Sequence, residues 1–245
     1  MISLNTCKRE ADLPLHLPTW TEPFTRMQFV KIPKGTLQVD GNLVQPSLSK
    51  QTKIIPSFWL GIYEVSQEQW EQIMGAEEPH PEKPSPYRNN FPNYPIVSIS
   101  YYEVEAFLSK FSALDSMYDY RLPTEWEWEY ACRAGTESAF YFGDKISHSL
   151  ANFNAEIQST YASFGKFIGH PVNVGSYPPN AWGLYDMHGN VWEWVDGDYS
   201  SHEKTIRGGS WLFSAQQATS FNRRPHEPDT WGYSIGFRVV CENKK

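Results

Sequence analysis

The chain has 245 residues, enough for one large domain or two small ones and for a sizeable core without disulfide staples. A net charge of −7 with no basic run argues against nucleic acid as a main partner, and no stretch of about 18 apolar residues offers a membrane span. Hydrophobic residues make up 40% and charged residues 20%, the balance of a soluble globular protein, while the 10 Trp predict a fold that leans on large rigid side chains.

The three cysteines, Cys7, Cys132 and Cys241, are odd in number and scattered, so neither a disulfide framework nor a cysteine metal site is expected. The N-terminus lacks the apolar centre of a signal peptide, which makes the cytoplasm the expected compartment.

Residues 1–26 carry Pro14, Pro18 and Pro23 with little periodicity and read as an arm lying across a domain that spans 27–245. Met27 to Pro33 alternates as a strand, Gly35 to Gly41 reads as a hairpin-like return, and Phe58 to Tyr63 as a third strand. Three helices are predicted from capping boxes, where Ser66 precedes Gln69, Ser100 precedes Glu103 and Thr124 precedes Glu127. In the second helix Val104, Phe107, Leu108 and Phe111 fall at i, i+3, i+4 and i+7 and mark one buried face. Cys132, on the third, is expected as a small buried hydrophobe. Glu125 and Glu127 complement the positive end of that helix, and Glu129 is expected to be solvated or ion-paired. Ala76 to Pro86 is too proline-rich for regular structure and reads as a surface loop before a strand-like Tyr94 to Ile99. From Gly135 to about Gly175 the chain is loop-like, anchored by Phe140, Tyr141, Phe142 and Phe153. Few strands, few helices and long ordered loops give the class α+β.

The densest stretch is Gly183-Leu-Tyr-Asp-Met-His-Gly-Asn-Val-Trp-Glu-Trp194. Gly189 and Asn190 suit positive φ, so a tight turn is expected between Asp186 and Glu193. Two carboxylates bracketing turn carbonyls can surround a hard cation such as calcium with oxygen. The competing reading is a turn that feeds a buried strand, with Trp192 and Trp194 as core.

That stretch, together with Arg121-Leu-Pro-Thr-Glu-Trp-Glu-Trp-Glu-Tyr-Ala-Cys-Arg-Ala-Gly135, Arg207-Gly-Gly-Ser-Trp211 and Ile235-Gly-Phe-Arg-Val239, resembles the formylglycine-generating enzyme (sulfatase-modifying factor) family. The blocks stand in the family's order and cover the chain from about Phe29 to Val240. The resemblance implies a C-type-lectin-like fold of the formylglycine-generating enzyme type, with the opening strand paired to the C-terminal one. It also implies that Asp186, Gly189, Val191 and Glu193 hold a structural calcium, the glycine and valine through main-chain carbonyls. A second family calcium site would use Asn152 and the carbonyl of Phe153, but Ala162-Ser-Phe-Gly-Lys166 offers no carboxylate to complete it.

Catalytic members place two copper(I)-binding cysteines six and eleven positions after the Arg of Arg-Gly-Gly-Ser, soft ligands for a soft ion. Counting from Arg207, those positions are Phe213 and Ala218. Neither holds a metal, so no copper is expected and copper-dependent formylglycine formation is not. Trp192 and Ser210 match groove residues of active members, and Arg223 matches a cleft arginine. His170, His188, His202 and His226 are each expected at the surface or in a hydrogen bond.

Two functional classes remain. One is a binding module for a protein or small molecule, using a C-terminal groove of Trp192, Ser210, Trp211, Phe213, Phe221, Arg223, Arg224, His226, Trp231 and Tyr233, rich in the aromatics and arginines that make hot spots. Some retroelement-diversified variable proteins use this fold in that way. The other is an oxidoreductase of the family with altered metal or cofactor chemistry.

Overall fold

The computed structural model describes residues 17–39, 51–76, 80, 85–87 and 91–244. Most of the arm, Cys7 and most of the proline-rich loop lie outside these residues.

The three capping boxes form as the sequence predicts. Helices α1 (Gln67–Met74), α2 (Tyr101–Leu114) and α3 (Glu125–Arg133) start at Ser66, Ser100 and Thr124. At each start the hydroxyl accepts from the third amide while the third side chain accepts from the cap N–H, an arrangement worth about 1 kcal/mol. The strands are β1 (Thr19–Thr21), β2 (Gln28–Ile32), β3 (Gly35–Val39), β4 (Gln51–Ile55), β5 (Phe58–Gly61), β6 (Tyr118–Arg121), β7 (Trp192–Asp198), β8 (Lys204–Arg207), β9 (Arg223–His226), β10 (Ile235–Phe237) and β11 (Val240–Asn243).

An antiparallel sheet of order β1-β2-β5-β11-β6 forms the base. The opening strand therefore does not pair with the C-terminal one. Phe58–Gly61 lies between them, bonded to β2 on one side and β11 on the other. β1 falls within the stretch read as an arm and adds an edge strand to this sheet.

Strand alternation gives the sheet two apolar faces. Phe29 and Cys241 join Trp70, Phe107, Phe111 and Phe237 on the side of α1 and α2. Val30, Leu60 and Val240 face Trp128, Ala131 and Cys132 of α3, with Leu37, Val39 and Ile55 of the β3–β4 hairpin. All four residues of the predicted α2 face are buried. Truncating a ring such as Phe107 to Ala costs about 3–5 kcal/mol in a core of this kind.

The strand-like Tyr94 to Ile99 forms no strand. Pro95 lacks an amide, Ser98 sits at a φ of 61°, and the segment contributes only the bridge between Ser66 and Pro95. A second sheet, of order β10-β7-β8-β9, carries the C-terminal half of the chain. Its β10–β7 pair is parallel and the others are antiparallel. No helix among the described residues is long and apolar enough to cross a membrane.

Candidate functional site

The turn before β7 is built as its sequence demands. Asp186, Gly189 and Asn190 all take positive φ, at 54°, 83° and 56°. A side chain at position 189 would put its Cβ 2.3 Å from the Asn152 carbonyl oxygen, so glycine is required there. The Asn190 side chain stitches the turn together. Its Nδ2 donates to Glu64 Oε2 at 2.8 Å, and its Oδ1 accepts from the Val172 amide at 3.0 Å. The Val191 amide donates to Glu64 Oε1 at 3.2 Å.

Glu64, Asp186 and Glu193 thus meet in the interior with Arg238 as the nearest cation. Burial pushes the Glu64 carboxyl well above its ordinary value, reinforced by Asp186 and Glu193. Burial likewise pushes Asp186 up to about 6. One arginine against three carboxylates leaves the cluster short of positive charge.

The calcium set fits at Asp186. Its Oδ2 accepts from the Gly175 amide, while Oδ1 is buried without a hydrogen-bond partner. Glu193 fits less well, because both its oxygens accept from Arg238 at 2.7 Å and Oε2 also accepts from Trp128 Nε1 at 2.7 Å. Among the described residues no three His, Cys, Asp or Glu side chains group to hold a metal. An ion at this turn would therefore depend on main-chain oxygens. At the second family position, Asn152 Oδ1 is buried and unpartnered, and its Nδ2 donates to the His170 carbonyl at 3.0 Å.

The second sheet separates the predicted groove residues by strand parity. Glu193, Arg207 and Arg223 lie side by side in register and face α3. Arg207 pairs with Glu129, which also pairs with Arg133, and Arg223 pairs with Glu125 at 2.9 Å. Glu129 is accordingly ion-paired, and Arg223 serves the interior, stacked on Tyr199 and donating to Thr205 Oγ1 at 3.2 Å.

Arg224 and His226 point the other way, to the face of Trp192, Trp194 and Ile206. There the Arg224 guanidinium lies 4.5 Å from the Phe213 ring centre and 5.9 Å from that of Trp192. The two rings meet edge-on at 5.7 Å. Ser210 opens the turn that Phe213 closes, its carbonyl accepting from the Phe213 amide at 3.0 Å. Trp192, Ser210 and Trp211 are buried, and Trp192 Nε1, Ser210 Oγ and Trp211 Nε1 have no hydrogen-bond partner.

The remaining groove candidates are dispersed. The Trp211 ring packs with Val97, Val191 and Tyr87. Phe221 joins Phe140 and Phe153 in a separate apolar cluster and lines a cavity of about 400 Å³ with Tyr130 and Arg133, away from the Trp192 face. Trp231 stacks on His80 and meets Tyr233 edge-on. His226 contacts Thr230 at 3.1 Å, and burial followed by the charge of Arg224 holds its pKa below the ordinary value. His188 is buried, donating Nδ1–H to the Ala218 carbonyl at 2.8 Å and accepting from the Tyr141 amide at 3.1 Å.

The positions that would carry copper ligands hold no sulfur. Ala218 is buried, and a Cβ at Gly209 would sit 2.7 Å from its Cα, so the two backbones touch. Cys132 and Cys241 are both buried, and burial pushes each thiol up to about 12.

Sequence reasoning missed Glu64 and Arg238 as members of the central cluster. Each interrupts an apolar run, Gly-Ile-Tyr-Glu-Val65 and Gly-Phe-Arg-Val239, and a lone charge in such a run signals a buried ion pair.

This arrangement, an α+β domain with short strands, long ordered loops and the glycine turn behind Trp192, defines the C-type-lectin-like fold of the formylglycine-generating enzyme type. The chain belongs to the sulfatase-modifying factor family, whose enzyme 1-like domain model matches residues 18–243. It is 28% identical over 198 residues to a Bos taurus formylglycine-generating enzyme, covering 71% of this chain and 51% of that one. It is 32% identical over 159 residues to the Bos taurus inactive C-alpha-formylglycine-generating enzyme 2, covering 60% and 50%. The chain spans about half the length of these curated relatives. Among solved structures, PvdO from Pseudomonas aeruginosa superposes with a TM-score of 0.75 at 25% identity over 92% of this chain and 98% of that one. Treponema denticola variable protein 1 gives 0.72 at 21% over 91% and 98%.

Proposed function

We propose that this family member does not carry out copper-dependent formylglycine formation and acts as a binding module. Its groove centres on the Trp192, Phe213 and Arg224 face. The observation that carries the reading is the absence of sulfur at the two cradle positions together with unpartnered buried donors near the Arg224 rings. Phe213 and Ala218 stand where the thiolates would be, while Trp192, edge-on to Phe213, keeps its Nε1 buried and unpartnered, as Ser210 does its Oγ. Buried donors without partners cost free energy in the folded chain, which a ligand that accepts from them would recover. The relative named inactive C-alpha-formylglycine-generating enzyme 2 is consistent with a non-catalytic role for the domain. Calcium, where bound, would be structural, held by Asp186 and the carbonyls of Gly189 and Val191, and would neutralise excess carboxylate charge beneath the groove.

A fragment screen against ¹⁵N-labelled protein tests this reading, with indole signals assigned through Trp192→Phe and Trp211→Phe. Hits are expected to move the Trp192 indole N–H signal and to leave that of Trp211, which packs among Val97, Val191 and Tyr87, in place. Hits confined to other surfaces, or copper(I) bound one-to-one at the groove, would overturn it.

A further inference from the structure

The chemistry of the groove narrows its ligand. An indole N–H can only donate, and so can a guanidinium. Trp192 Nε1 is a buried donor without an acceptor, and Ser210 Oγ, in the turn whose carbonyl holds the Phe213 amide, is equally unpartnered. Arg224 is half-buried on two aromatic rings, and among the described residues no carboxylate pairs with it. Its neighbour in sequence, Arg223, has Glu125; its neighbour in space, His226, adds no positive charge at neutral pH because burial and Arg224 itself keep the imidazole deprotonated. Lys204, opposite His226, is held by Asp198 at 2.6 Å, so the face offers Arg224 as its unpaired positive charge, neutral donors and an aromatic wall at Phe213.

We infer that the groove binds a carboxylate: the ligand anion pairs with the Arg224 guanidinium, accepts from Trp192 Nε1 and Ser210 Oγ, and lays its apolar part against Phe213. The inference rests on the groove reading above and deepens it. A planar carboxylate matches the guanidinium fork and carries the single charge that one arginine balances. A phosphate would bring more negative charge than this face can answer. The carboxylate belongs to a free small molecule or to the end of a peptide chain, and both present the same chemistry.

Benzoate and benzamide separate the possibilities on the unmodified protein, since they share a ring and differ in the charged group. Benzoate is expected to move the Trp192 indole N–H downfield and to bind at least about tenfold tighter than benzamide, as a charge-assisted bond requires. Arg224→Gln should bring benzoate down to the benzamide level while thermal unfolding stays within a few degrees of the parent. A short peptide ending in a free carboxylate, compared with its amide, assigns the source: tighter binding than benzoate marks a chain end, weaker binding a small molecule. Equal binding of benzoate and benzamide would overturn the carboxylate assignment and leave the groove reading standing. Inorganic phosphate binding tighter than benzoate would overturn it as well. If neither ring compound nor any fragment moves the Trp192 indole, both readings fall together.

Discussion

Arg238 grips Glu193 with two parallel bonds, Nε to Oε2 and Nη2 to Oε1, both 2.7 Å, in a place where neither residue reaches solvent. The same guanidinium donates to the carbonyls of Gly61, Ile62 and Tyr185. One side chain thus fastens the end of β5, the glycine turn and β7 to one another. Removing one partner leaves the other charge buried and unpaired. Arg238→Met is expected to destabilise the fold by about 3–5 kcal/mol, and the double variant with Glu193→Leu by less than the sum of the singles. Urea unfolding of the three variants measures both quantities.

Adjacent arginines on β9 are expected to behave differently. Arg223→Ala strips the partner from Glu125, whose pKa burial already raises, and should cost about 2–3 kcal/mol of stability. Arg224→Ala loses only its ring contacts, about 0.5–1 kcal/mol, and should act on binding instead. Thermal unfolding read beside the indole titration separates the two effects.

His188 makes the fold acid-sensitive. Burial lowers its pKa from 6.5 to about 3, so the neutral ring contributes stability that is fully present above pH 6.5 and is lost as pH falls through 3. Replacing it with Gln should lower stability at pH 7 and flatten the slope of unfolding free energy against pH between those values. Urea melts at half-unit pH intervals record the slope.

Asp186 has the opposite sign. Its carboxyl, raised from 3.8 to about 6, favours the folded state below 3.8, and that contribution is lost as pH rises through 6. At pH 7.5 the calcium-free protein carries the cost of the ionised cluster. Asp186→Asn should therefore stabilise it by on the order of 1–2 kcal/mol. Millimolar calcium should raise the melting temperature of the parent at pH 7.5, less at pH 5, and little in the Asn variant. A parent indifferent to both calcium and chelator would remove the ion from the account.

Much of the fold was legible because its signals are local. Each helix announces itself within four residues, Ser66 to Gln69 being enough for α1, and Gly189 and Asn190 declare their backbone angles by type. What the sequence hid was pairing at a distance. Nothing in Phe58–Gly61 says that it will lie between β2 and β11. Pro225 masks β9, since proline argues against a strand and is tolerated there because β9 is the sheet edge. Without that strand, the alternation that sends Arg223 inward and Arg224 onto the Trp192 and Phe213 rings could not be read. The place of Phe221 is hidden for the same reason, because its ring packs against Ala139, Phe140 and Phe153 from a distant loop.

Phe213 and Ala218 supply no thiolate, and on the function proposed above the chain carries out no copper-dependent oxidation. The most direct test is to incubate the purified chain with copper(I), oxygen and a cysteine-containing sulfatase-type peptide and to follow the peptide by mass spectrometry. The account predicts intact thiol, with no aldehyde above a copper-only control. Conversion of the cysteine to formylglycine at a rate proportional to protein concentration would contradict it.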